Sequence, residues 1–132
     1  MKAQSAIRLL IGLISVILVF HLLILVKIIP YDVTWGGRLK SDNEMYLFEG
    51  ISIAVNGILL LLLFLKGRII SQVKSSKFID IVLWIYLVLF SLNTIGNLLA
   101  ESTFEKFFAI LTLVFVFLLL VILRGGKKTQ KS

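Results

Sequence analysis

In a chain of 132 residues, 59% hydrophobic and 16% charged, the composition is too apolar for a soluble domain of that size. The formal net charge of +7 sits in clusters that bracket apolar runs, which argues against the basic stripe of a nucleic-acid binder and for phospholipid headgroups as the neutralising partner. With no cysteine, disulfides, thiol catalysis and iron–sulfur or cysteine-based zinc sites are excluded.

The first apolar run, 9–26, is interrupted by Gly12, Ser15 and His21 and extends to Ile29 before Pro30 stops it. It has neither the short apolar stretch nor the small-residue cleavage site of a signal peptide, so it reads as a retained helix over 7–29. The segment 30–44 follows, with a turn-forming Gly36-Gly37 pair beside Trp35, Arg38 and Leu39. That mixture is too apolar for a solvated loop and predicts a lid folded back on the bundle.

The second helix is expected over 45–65, which places Glu49 inside it, and Gly67 suits a helix C-cap at the start of a basic link. The third, over 79–100, is preceded by Ser75 and Ser76 as N-caps and by Asp80, whose charge suits a helix N-terminus. The fourth, over 103–123, opens on Ser102-x-x-Glu105, the capping-box spacing. The link between the last two is so short that they must be antiparallel neighbours. At about 1.5 Å per residue each run approaches the ~30 Å of a hydrocarbon layer. The fold class is therefore all-α: a single transmembrane four-helix bundle, up-down-up-down.

Orientation follows from the basic residues. Lys2, Arg8, Lys66, Arg68, Lys74, Lys77, Arg124, Lys127, Lys128 and Lys131 fall on one face, against Lys27, Arg38, Lys40 and Lys106 on the other. The richer face is expected to be cytoplasmic, with both termini on it. The acids reverse the bias: Asp32, Asp42, Glu44, Glu49, Glu101 and Glu105 lie toward the outer face and Asp80 toward the inner.

Polar residues inside the spans carry the functional signal, because an unpaired amide or carboxylate in lipid costs several kcal/mol on the order of transfer estimates. Glu49, Ser52 and Asn56 are spaced i, i+3, i+7 and share one helix face. Tyr86, Asn93, Gly96 and Asn97 share a face of the third helix. His21, Glu49, Ser52, Asn56, Asn93, Asn97 and Thr112 lie at the midplane or in the outer half, which predicts a polar pocket facing outward beneath the Trp35 loop. Each has a plainer role beside that one. Ser52, Asn56, Asn93 and Asn97 also suit interhelical hydrogen bonding, Glu49 snorkelling to the interface, His21 a structural bond, and Arg38 either an exposed charge or a partner for Glu49.

Through Pro30-Tyr31-Asp32, Trp35-Gly36-Gly37-Arg38-Leu39, Phe48-Glu49, Asn93-Thr94-Ile95-Gly96-Asn97 and Phe104-Glu105-Lys106, the chain resembles a group of small four-helix membrane proteins of bacteria. The resemblance spans most of the chain and implies a bacterial inner membrane; it implies no activity.

Three functions compete. In the first, Glu49, Arg38, His21, Ser52, Asn56, Asn93, Asn97 and Trp35 hold a small polar or amphipathic ligand or lipid, or serve a transport partner. In the second, the polar residues join helices of a second copy or of another membrane protein, an assembly role for which Gly50 and Gly57 offer a close-packing surface. In the third, ranked last, His21 and Glu49 act as an acid and base on a lipid. A single histidine and no nucleophile motif make that weak, so no catalytic residue, cofactor or metal is assigned.

Overall fold

A computed structural model describes residues 1–31, 40–71, 76–100 and 103–131. They form four helices: α1 (Ala3–Leu25), α2 (Asp42–Ser71), α3 (Lys77–Leu98) and α4 (Thr103–Lys131). Each contains a stretch long and apolar enough to cross a membrane, namely Ala3–Leu25, Asp42–Ile70, Lys77–Leu98 and Glu105–Gly125.

Helix ends are where the sequence expectation and the structure part. α1 stops at Leu25 rather than running on toward Pro30, because Lys27 adopts a left-handed φ of 66°. Its N–H donates to the Ile24 carbonyl (2.9 Å) and the Ile28 N–H to the Leu23 carbonyl (2.9 Å). This is a Schellman closure with lysine where glycine is usual. Lys27 then reaches across to α2, where its Nζ donates to Asp42 Oδ2 at 2.5 Å. That hydrogen bond, followed by the charge of Asp42, raises the Lys27 ammonium above its ordinary value of 10.5. A pKa raised on folding contributes stability below the unfolded value and loses it as pH climbs through the folded one. Lys27→Ala, which keeps the backbone strain and loses the bond, should therefore melt below Lys27→Gly, which relieves the strain. Wild type should also lose ground to Lys27→Gly above about pH 10.5. Thermal melts of the three proteins across pH 7 to 11 check both points.

α2 begins earlier and ends later than expected. Ser41 Oγ accepts from the Glu44 N–H (3.2 Å), and the Glu44 carboxylate accepts from the Lys40 N–H (3.1 Å). The spacing is that of a capping box. At the other end Lys66 and Gly67 lie inside the helix, so Gly67 is not its cap. Gly67 instead offers its carbonyl to Gln4 Nε2 of α1 at 2.8 Å. α3 starts as the sequence suggested, with Ser76 Oγ accepting from the Ile79 N–H at 3.4 Å. The α4 cap assigned to Ser102 lies outside the described residues.

Neighbouring helices run antiparallel, as the order of their paired contacts shows. α1 meets α2 through His21 and Glu49 at one end and Gln4 and Gly67 at the other. α1 meets α4 through Phe20 and Phe108, with ring centroids 5.2 Å apart, and through Ala3 and Gly125. α3 meets α4 through the Thr94–Thr112 hydroxyl bond (2.8 Å) and the edge-on Phe90–Phe115 pair. A single apolar core gathers Leu10 and Ile14 from α1, Leu59 and Leu63 from α2, Leu83 and Phe90 from α3, and Phe115 and Leu119 from α4. A smaller cluster, Ile24 and Met45, closes the α1–α2 end.

Candidate functional site: the exposed end of the α2–α3 seam

Residues seven apart on an α-helix lie within about 20° of each other, so burial along such a row reports whether a neighbour follows the helix. On α2 the row Glu49, Asn56, Leu63 and Ile70 is buried throughout, since α1 packs along its length. The adjacent row behaves differently. Lys66 and Leu59 are sealed, at 1% and 0% exposure, but Ser52, seven residues further along, is half-exposed, and Phe48 beside it is exposed.

α3 repeats the pattern from its own side. Ile79 and Tyr86 are buried and Asn93, the next in that row, is exposed; Leu83 and Phe90 are buried and Asn97 is half-exposed. Both helices therefore lose cover at one level. At the closed end Lys66 Nζ donates to Asp80 Oδ1 at 2.5 Å, and midway Tyr86 Oη donates to the Val55 carbonyl at 2.7 Å. Beyond Tyr86 the residues on these faces are partly or fully exposed: Ser52 and Phe48 on α2, Asn93 and Asn97 on α3.

Of the eight residues singled out from the sequence, six lie among the described ones, and bonds join His21 to Glu49 and Asn56 to the Ser52 carbonyl. His21 Nδ1 and Glu49 Oε2 lie 2.5 Å apart, joining α1 to α2, with Glu49 fully buried and the His21 side chain 15% exposed. Asn56 turns back on its own helix, its Nδ2 donating to the Ser52 carbonyl at 2.8 Å. Asn93 does not turn inward to a neighbouring helix, as a polar group within a span is expected to do; it is exposed. Trp35 and Arg38, and with them most of the lid, lie outside the described residues. Three groups that sequence reasoning passed over hold the bundle: Lys66 was read as an interfacial charge, Asp80 as a helix-terminus charge, and Thr94 was not singled out. Thr94 lies four residues beyond Phe90, whose ring meets Phe115 of α4, a spacing that turns Thr94 toward α4 as well.

The seam's polar side chains, Ser52, Asn93 and Asn97, are all uncharged donors and acceptors, set among Phe48, Ile51 and Leu89. Such a surface suits a molecule with both apolar length and neutral hydrogen-bonding groups. No His, Asp or Glu grouping fit to hold a metal occurs among the described residues. Comparison with family models, curated proteins and solved structures finds no match, so the functional reading rests on this geometry.

Proposed function

We propose that the chain is a multi-pass protein of a bacterial inner membrane, both termini cytoplasmic, that holds an amphipathic lipid in the outer half of the α2–α3 seam. Four helices of spanning length support membrane residence, and the basic residues concentrated at the end bearing Lys66, Arg68 and Arg124 support the orientation. The observation that carries the lipid reading is the matched loss of cover along Lys66–Leu59–Ser52 and Ile79–Tyr86–Asn93. An amide facing acyl chains at that depth is costly unless its occupant supplies a partner. The mutual bond of His21 and Glu49 supports a role in joining α1 to α2 rather than in acid–base chemistry.

A second reading, a helix of another copy seated in the seam, is favoured by Gly96, where an added Cβ would meet nothing within 4 Å. One set of experiments separates the two. Native mass spectrometry of the wild type in mild detergent should find retained phospholipid, and Ser52→Phe, which fills the opening, should reduce retention about ten-fold, a change of ~1.4 kcal/mol. The natural absence of cysteine makes Asn93→Cys a clean reporter. Efficient disulfide dimers in native membranes, with no lipid retained by the wild type, would replace the lipid by a second copy.

A further inference from the structure

The walls of the seam bear on which part of a lipid they recognise. Resting on the lipid reading above, we infer that the seam selects its ligand by the neutral acyl linkage, an ester carbonyl of a glycerolipid, and not by headgroup charge. Among the described residues, Glu49 is bonded to His21 across the α1–α2 interface, Lys27 to Asp42 and Glu44 to the Lys40 N–H beyond the helix end. The described polar side chains on the two walls themselves are two carboxamides and a hydroxyl, Asn93, Asn97 and Ser52.

Their depth fits the same part of a lipid. Asn97 lies in the last turn of α3, which ends at Leu98. Asn93 lies one turn deeper, about 6 Å along the axis. That is the zone just beneath the headgroups, where the two acyl carbonyls of a glycerolipid sit. A carboxamide Nδ2 donates well to an ester carbonyl oxygen, whereas an ether oxygen is a much poorer acceptor. Phe48, Ile51 and Leu89 then flank the start of the acyl chains. A charged headgroup would lie beyond Asn97, outside the amide pair.

The test compares lipids on the unmodified protein, so it does not depend on any variant folding. Diester and diether phosphatidylethanolamine with equal chains, and the same two forms of phosphatidylglycerol, are titrated into delipidated protein in detergent and read by native mass spectrometry. Membrane hydrogen bonds give about three-fold each, so diester lipid should be preferred about three- to ten-fold with either headgroup. Asn93→Leu/Asn97→Leu, on a helix face already exposed to lipid, should bring the ratio to about one. Equal binding of diester and diether lipids, or a preference that follows headgroup charge, would overturn the linkage inference while leaving a lipid site in place. Binding of none of the four lipids would overturn the site itself.

Discussion

Lys66→Met should destabilise the protein by about 3 kcal/mol, near the lower end of the range for breaking a buried ion pair, and Lys66→Met/Asp80→Leu should recover most of that loss. The reason is asymmetry. Lys66 is 1% exposed and its ammonium lies 2.5 Å from an Asp80 carboxylate whose side chain is 18% exposed. Removing one partner strands the other against apolar neighbours, while removing both restores a surface that packs without desolvating a charge. Asp80→Asn should fall between, because its amide oxygen still accepts from the ammonium. Thermal unfolding in detergent, arranged as a double-mutant cycle, reads the coupling directly. If Asp80→Ala melts with the wild type, the pair does not anchor α2 to α3.

The second large effect belongs to Glu49. Glu49→Ala should cost about 2–4 kcal/mol, combining a lost charged hydrogen bond with the space left by a fully buried side chain. Glu49→Gln should cost less than half as much, since its amide still reaches His21 Nδ1. A carboxylate that merely snorkelled to the interface would behave in the opposite way: deleting its charge near lipid would be neutral or stabilising. Equilibrium unfolding of the two variants beside His21→Ala distinguishes these cases. Full additivity of His21→Ala and Glu49→Ala would show that the two side chains do not depend on each other.

How much of this was legible from the sequence depends on which force decides each feature. The four helices were, because runs of apolar residues between charged clusters leave few alternatives. Their ends were less so. Hydropathy placed the start of α2 at Met45, but Ser41-x-x-Glu44 lies just upstream, and backbone capping rather than apolarity sets that boundary. At the far end Lys66 looked like an interfacial charge because its partner is distant in sequence, and Gly67 looked like a cap because nothing local announces Gln4. Depth and periodicity put His21 and Glu49 at one level without saying that they would bond. Asn93 is the instructive case. The rule that polar groups in a span turn inward assumes that every inner face stays covered, and the cover along the row of Ile79 and Tyr86 ends before Asn93. Whether two helices stay parallel depends on side-chain volumes along the whole seam, which no single helix's pattern encodes.

The fastened base has a mechanical consequence. Near one end all four helices are tied: Ala3 against Gly125, where an added Cβ would come within 3.0 Å, Gln4 to Gly67, and Lys66 to Asp80. From Lys66 to Phe48 the α2 axis runs about 27 Å. Swung about so distant a pivot, a tilt of only about 10° displaces the tip by roughly 5 Å on that rise per residue. Small adjustments at the rooted end are thereby levered into a change of aperture at the other, where α2 swings together with α1 because His21–Glu49 and Lys27–Asp42 tie the two.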